Sequence, residues 1–471
     1  MLTNAVVTAW LIASAAAAGL KVAKIGSTPD GTTRPIRGWN SWGLQAGGYL
    51  SDFKQQTVQP ICDRMATDLA GNYQLCGLDS GWSVGDHGDD NGRILYDSSR
   101  FDLPNFARHL HGQNQLLGVY VVPGAFIKDY DNFGRCYLKY DHPSTQAWFD
   151  SNAKQFADWG VDYIKLDFMT PGSPEPGTNL RSDSSGEVIG WQKAIKKTGK
   201  KITLSISWKL DRSRQYFDIW RANADSMRVD QDIQTYKRTP FVSWGNIIRT
   251  LQNYREWINA AISLYDTIGT HPNLDTMYVA NSQDLTGLTY DQRKTVFIHW
   301  IGTSAELNLG DDLTKPDAQG VALLKDKDAL SAADFTGNYP MQPRNPGSGG
   351  SDWKSQNAWI SGPSPSGEFI AVLANYDTSG TATVSASLSD LGVSGSYSCF
   401  DIFAKTSLST SSGLSATLKG GQSVMYRCTR GSSGGTTTTT PTKPPTSSIR
   451  NWCSAGDGGE ASHIENKFHS S

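Results

Sequence analysis

From Pro35 to about residue 335, short apolar runs alternate with stretches of helical periodicity, and the runs repeatedly close on an acid. The clearest case is Trp159-Gly160-Val161-Asp162-Tyr163-Ile164-Lys165-Leu166-Asp167-Phe168, where a strand from Val161 to Leu166 stops at Asp167. Aspartate is a poor strand residue, so a strand that ends on one needs a reason. One reason is capping of the next helix. The other is chemistry, because barrel enzymes gather functional side chains at the C-terminal ends of parallel strands.

The pattern recurs along the chain. Tyr73 to Leu78 ends on Asp79, and Leu116 to Val122 is stopped by Pro123-Gly124. Lys201 to Trp208 is a strand, Met227 to Ile233 carries Asp230 and Asp232, Leu274 to Met277 opens a short element, and Ala305 to Gly310 is a last strand. Helical periodicity falls on Thr57 to Leu69, Phe106 to Asn114, Ser144 to Trp159 with Ser144 as N-cap, Gly190 to Lys197, Ile247 to Ala261 and Tyr290 to Gly302. About eight strand–helix pairs predict an α/β fold, a (β/α)8 TIM barrel. An open doubly wound sheet is the alternative, but no Gly-x-Gly-x-x-Gly loop follows the first strand.

From about Gln342 the texture changes to short strands between Gly, Ser and Asp turns: Ala358 to Ile360, Glu368 to Asn375, Thr381 to Ser385, Tyr397 to Ile402 and Ser423 to Arg427. This predicts a small antiparallel β-sandwich. The expected organisation is a signal peptide at 1–18, the barrel at 19–338, the sandwich at 339–430, a Thr/Pro/Gly/Ser linker at 431–448 and a disordered or truncated tail at 449–471. The apolar run from Ala5 to Ile12 and the alanines after it predict secretion to the extracellular space, and no stretch reaches the length of a membrane span. Secretion permits disulfides among the six cysteines, with Cys399–Cys428 the first pair expected and Cys62–Cys76 the second. A net charge of −2 gives no electrostatic reason to expect nucleic acid or an anionic membrane as partner.

The acids at strand ends come from different strands: Asp79, Asp167 and the Asp230/Asp232 pair. Glycoside hydrolysis needs two carboxyl groups flanking one bond. Clustered carboxylates also bind divalent metals, but no His cluster accompanies these, so neither a metal nor another cofactor is expected. Trp39-Asn40-Ser41-Trp42 and Gly81-Trp82 put tryptophans on loops beside the acids, either as core packing or as platforms for the apolar face of a sugar. A catalytically silent sugar binder is a further reading, though it has no need of a matched acid pair.

Gly38-Trp39-Asn40-Ser41-Trp42, Leu78-Asp79-Ser80-Gly81-Trp82, Leu117-Gly118-Val119-Tyr120, Trp159 to Asp167 and Arg228-Val229-Asp230-Gln231-Asp232-Ile233 come in the order and spacing of glycoside hydrolase family 27. The chain resembles this α-galactosidase and α-N-acetylgalactosaminidase family from about Pro35 to Arg430. The resemblance implies a metal-free retaining double displacement on the terminal α-galactosyl residue of an oligo- or polysaccharide. It puts the nucleophile on Asp167 and the acid/base on Asp232, with Asp230 as competitor. It puts substrate contacts on Trp42, Asp79, Ser80, Tyr120, Lys165, Ser207, Trp208, Arg228 and Asp275. Lys165 and Asp167 are two apart and so point to the same side of their strand. The chain departs from the family at Ser80, where a second Asp is usual, at Ser207, where several α-galactosidases carry Glu, and at Phe168-Met169, which removes a loop disulfide and leaves Cys136 without that partner. These changes widen the expected sugars to β-L-arabinopyranosides, N-acetylgalactosaminides or α-glucans, although Leu210 would crowd an acetamido group.

Overall fold

The computed structural model describes residues 20–126, 135–136, 138–172, 181–237, 239–344 and 357–431. The expected signal peptide, all of the expected linker beyond Gly431, the tail with Cys453, and the surroundings of the Cys136 side chain lie outside the described residues.

Eight short parallel strands form one sheet: β1 (Arg37–Asn40), β2 (Leu75–Leu78), β3 (Leu116–Val121), β4 (Val161–Leu166), β5 (Thr203–Ile206), β6 (Ser226–Arg228), β7 (His271–Asn273) and β8 (Leu307–Leu309). Their order is β7-β6-β5-β4-β3-β2-β1-β8. Neighbours in the chain are neighbours in space, and β8 returns to pair with β1 in register Arg37↔Leu307, Gly38↔Asn308, Trp39↔Leu309. The remaining seam is closed by Met277, whose N–H donates to the Asn308 carbonyl at 2.7 Å and whose carbonyl accepts from Gly310 N–H at 2.9 Å. The sheet is thus the predicted barrel, and Asp79, Asp167 and Asp232 follow its strands β2, β4 and β6.

Element ends differ from expectation where local signals mislead. The strand expected at Met227 to Ile233 ends at Arg228, because Asp230 and Asp232 turn away to separate partners. The helix expected from Ser144 runs Pro143–Trp159, with the His142 side chain as its cap, accepting from Ser144 N–H at 3.3 Å. The element expected at Leu274 to Met277 is a loop after β7. The helix Arg214–Asn223 and the hairpin Ser83–Gly88/Ile94–Tyr96 have no counterpart in the sequence reading.

Beyond the barrel lie a six-stranded antiparallel sheet and a two-stranded one. The first is ordered β9 (Gln342–Arg344), β10 (Ala358–Ser361), β11 (Phe369–Ala374), β16 (Ser423–Arg430), β13 (Tyr397–Asp401), β14 (Thr406–Thr410). The second pairs β12 (Thr381–Ser387) with β15 (Gly413–Lys419). β11 is buried at all six positions. Its alternation explains why: Ile370, Val372 and Ala374 join the barrel's apolar core, while Phe369, Ala371 and Leu373 join the core between the two small sheets. Disulfides link Cys62 to Cys76 and Cys399 to Cys428.

The helix Tyr290–Gly302 docks the two parts. It starts with a capping box between Thr289 and Gln292 and is buried almost all round. Thr295 Oγ1 donates to the Gly421 carbonyl at 2.7 Å. His299 Nδ1 donates to the Thr295 carbonyl at 2.7 Å, which leaves Nε2 to accept from Tyr376 hydroxyl at 2.9 Å. Tyr376 in turn accepts from Trp359 Nε1 at 2.7 Å. The next residue, Trp300, donates from Nε1 to the backbone carbonyl of Asp275 at 3.0 Å.

Burial lowers the pKa of His299 from 6.5 to about 4. The unfolded chain therefore takes up a proton below about 6.5 that the folded chain refuses until about 4. The stability tied to neutral His299 is complete above 6.5 and is lost as the pH falls through that window, to a limit of about 3 kcal/mol. His271 is lowered to about 4 by burial as well. We therefore expect the melting temperature to fall between pH 6.5 and 4, and His299→Gln to remove part of that slope in calorimetry. An unchanged slope would show that other groups carry the acid sensitivity.

Candidate active site

The site is built where strands end. Backbone N–H of Ser41 donates to the Gly77 carbonyl at 3.0 Å, and Asn40 Oδ1 accepts from Trp42 N–H at 2.9 Å, so the chain turns sharply after β1. Gly43 in that turn has no room for a side chain: a Cβ there would lie 2.2 Å from Gly310 Cα. This backbone-to-backbone approach sets Trp42 over the barrel mouth.

Asp79 follows β2 and is 1% exposed. Its N–H donates to Ser41 Oγ at 2.8 Å, and its Oδ1 accepts from Ser80 N–H at 2.9 Å. Lys165 Nζ, from β4, donates to Asp79 Oδ2 at 2.8 Å and lies 3.4 Å from Asp167 Oδ2. It also sits 5.5 Å from the centroid of the Tyr120 ring on β3. Asp167 Oδ1 accepts from Phe168 N–H at 2.8 Å. Arg228, at the end of β6, makes the second ionic cluster. Its Nη2 donates to Asp232 Oδ1 at 2.8 Å and to Asp275 Oδ2 at 2.5 Å, and its Nη1 donates to Ser207 Oγ at 3.1 Å.

Asp230 and Asp232 part company. Asp230 is 1% exposed and accepts from Arg249 Nε and Asn253 Nδ2, each at 2.9 Å, on the helix Trp244–Leu264. Asp232 instead takes Trp42 Nε1 at 3.0 Å on its Oδ2. Trp42, Asp79, Ser80, Tyr120, Asp167, Trp208 and Asp232 line one cavity of about 440 Å³. Lys165, Arg228 and Asp275 lie behind it around a void of about 20 Å³. Ser207 lines neither and is buried beneath Arg228. Leu210 is buried in the barrel's apolar core.

The same cavity is lined by residues that the sequence reading left out, among them Tyr236, Phe168 and the Ser83–Gly88/Ile94–Tyr96 hairpin. Tyr236 carries no local signal, since it is one polar-loop tyrosine among Thr, Lys and Arg. Phe168 stands out only as a departure from the family. It stacks on Trp208 with centroids 4.8 Å apart and planes at 23°. Phe168, Trp208 and Asp275 hold positive φ values of 55, 104 and 73°. Such conformations cost about 1–3 kcal/mol each in residues other than glycine and gather at functional sites.

Charge is divided unequally among these acids. Burial would drive Lys165 toward neutrality, but Asp167 and Asp79 outweigh it and raise its pKa. Burial also opposes the Asp232 carboxylate, but Arg228, Lys165 and the Tyr236 hydroxyl outweigh it and hold its pKa below the ordinary value. Asp79 and Asp275 go the other way, since for them burial outweighs Lys165 and Arg228 respectively and raises their pKa. Among the described residues no group of three or more His, Cys, Asp or Glu is placed to hold a metal ion. The carboxylates are bridged by Lys165 and Arg228 instead. The arrangement can bind a polar ring against Trp42 and bring the carboxyls of Asp167 and Asp232 to it.

Residues 52–334 match the family model for α-galactosidase A, and residues 355–428 match that for the α-galactosidase C-terminal β-sandwich domain. The chain is 38% identical over 455 residues to α-galactosidase 3 of Hypocrea jecorina, covering 87% of this chain and 73% of that protein. A family 27 β-L-arabinopyranosidase from Geobacillus stearothermophilus has a similar fold, with a TM-score of 0.70 at 19% identity over 86% of this chain and 98% of the other. An α-galactosidase from Saccharomyces cerevisiae, solved with raffinose, is similar at a TM-score of 0.63 and 17% identity, over 86% and 99% of the two chains. The barrel, the sandwich and these matches together establish that the chain belongs to the α-galactosidase family, glycoside hydrolase family 27, and is a glycoside hydrolase.

Proposed function

We propose that the protein is a retaining exo-glycosidase that removes terminal α-D-galactosyl or closely related residues from oligo- and polysaccharides outside the cell. The observation that carries this reading is the pairing of Asp167 and Asp232, which follow different strands, on the wall of one cavity. In the first step an Asp167 oxygen attacks the anomeric carbon, the bond to the leaving oxygen breaks, and Asp232, which its neighbours hold below the ordinary carboxyl pKa and which must therefore first take up a proton, delivers that proton to the leaving oxygen. In the second step Asp232 takes a proton from water, the water oxygen attacks the anomeric carbon, and the ester to Asp167 breaks. Lys165 fits the first step as the cation beside the attacking carboxylate, with Nζ 3.4 Å from Asp167 Oδ2. Arg228 orients Asp232 while Asp275 and Ser207 hold Arg228. Trp42, Tyr120 and Trp208 frame the sugar, and Asp79 with Ser80 meets its hydroxyls. The two disulfides agree with an oxidising, extracellular setting.

The sugar itself is open to a second reading. Ser80 is exposed and offers a hydroxyl where the family usually has a second carboxylate; its N–H is spent on Asp79 and its carbonyl on Gln45 Nε2 at 2.8 Å. With one carboxylate instead of two, the grip on a galactose hydroxymethyl edge weakens. β-L-Arabinopyranosides, which lack that arm, then become competitive substrates.

Two expected outcomes test this. Wild type hydrolyses an aryl α-galactoside, and Asp167→Asn lowers kcat by on the order of 10⁴-fold or more, with melting unchanged. Proton NMR of the first-formed sugar shows retained configuration. Run in parallel, aryl β-L-arabinopyranoside gives a kcat/KM within about tenfold of the galactoside, the scale of one lost polar contact of about 1.4 kcal/mol. Absence of turnover on both substrates, or an inverted product, would refute the proposed reaction.

A further inference from the structure

Tyr236 lies four residues past Asp232 on the loop leading to the helix Trp244–Leu264, and it is 54% exposed. Packing gives little reason for its position. Its hydroxyl nevertheless donates to Asp232 Oδ2 at 2.5 Å, the same oxygen that accepts Trp42 Nε1 at 3.0 Å. The rings of Trp42 and Tyr236 meet edge to face, with centroids 6.2 Å apart and planes at 65°. Both rings line the main cavity.

The three donors around Asp232 are not equivalent. Arg228 holds Oδ1 at 2.8 Å from the buried side, and a guanidinium can only donate. Indole N–H likewise only donates. A phenol hydroxyl donates to a carboxylate and, rotated, accepts from a carboxylic acid. Tyr236 is therefore the partner that suits Asp232 in both protonation states that an acid/base must visit. Oδ2 is the oxygen that has to carry the mobile proton, since Oδ1 is turned to Arg228.

We propose that Tyr236 is a positioning residue for proton transfer, its hydroxyl fixing the cavity-facing oxygen of Asp232 and its exposed ring forming the leaving-group side of the cavity. This rests on the reading of Asp232 as acid/base. Other charges act on the same carboxyl from elsewhere: Arg228 from β6, Lys165 from β4 and Asp275 beyond β7. Asp167 lines the same cavity, and Arg249 Nη2 donates to the Asp232 backbone carbonyl at 2.7 Å. Of these, Tyr236 is the contact that can be removed at an exposed position.

The test is the pH profile of kcat/KM, each normalised to its own plateau, for wild type, Tyr236→Phe and Asp232→Ala on 4-nitrophenyl α-galactoside. Removing a donor from the carboxylate makes its acid harder to ionise, so Tyr236→Phe should move the alkaline limb up by about 0.5–1 pH unit. Asp232→Ala should abolish that limb. In addition, Tyr236→Ala should raise KM for raffinose about fivefold relative to methyl α-galactoside, whose leaving group has no ring to stack. An alkaline limb that is lost in Asp232→Ala but unmoved in Tyr236→Phe overturns the role of Tyr236 alone. A limb that persists in Asp232→Ala overturns the assignment of Asp232 and with it this proposal.

Discussion

Two buried cations hold the centre of this barrel together. Lys165 and Arg228 stand between acids that would otherwise repel one another and lose their hydration for nothing. Their task is unusual because barrels of this type are mostly filled with branched apolar side chains. Here a polar layer lies beneath the site. Glu306 is fully buried and accepts from Tyr163 hydroxyl at 2.9 Å, Asn273 Nδ2 at 2.8 Å and Asn308 Nδ2 at 2.9 Å, with Ser226 hydroxyl as a further donor. Its donors are neutral, and burial raises its pKa. Chemically similar carboxyls thus differ by placement alone: Arg228, Lys165 and the Tyr236 hydroxyl together outweigh burial at Asp232 and lower its pKa, while burial outweighs the cation beside Asp79 and Asp275 and raises theirs.

The same economy governs the backbone. Left-handed conformations at Phe168, Trp208 and Asp275 are unfavourable in isolation. The first two face each other in a ring stack, and Asp275 is pinned by its own N–H on Asn273 Oδ1 at 2.8 Å and by Thr276 N–H on its Oδ1 at 2.7 Å. The rigid strand ends beneath them supply the support, since each strained residue sits two positions past the end of a barrel strand.

Much of this was legible from the chain. A strand that closes on Asp is out of character, and that anomaly pointed to Asp79 and Asp167 without any structure. The barrel was legible because several of its strands are short apolar runs that alternate with helical periodicity; β7, His271-Pro272-Asn273, has no apolar run, and the expected element fell on the loop after it. What could not be read was non-local. Asp230 and Asp232 follow one strand and look alike in sequence; only Arg249 and Asn253, on the next helix, draw one of them away. Tyr236 was invisible for the same reason, because its meaning lies in a hydroxyl that reaches back one loop. The strands Thr406–Thr410 and Gly413–Lys419 escaped notice because Ser, Thr and Gly give them little apolar alternation. Ser144 looked like a cap because its type fits, while the chain used the side chain of His142, a poor capping residue by type.

The helix Tyr290–Gly302 has a meaning that reaches past its packing. Its neighbouring residues His299 and Trp300 face two ways, one to Tyr376 in the C-terminal part and the other to the backbone of Asp275, the acid that shares Arg228 with Asp232. β11 lends alternate side chains to two cores at once. The C-terminal sheets are therefore no detachable appendage, although sequence texture divides them cleanly from the barrel. They act as an outer wall whose loss would open the barrel's own interior. In thermodynamic terms, one cooperative unit spans the boundary between the barrel and the sandwich, and injury to the C-terminal sheets is transmitted to the acids at the barrel mouth.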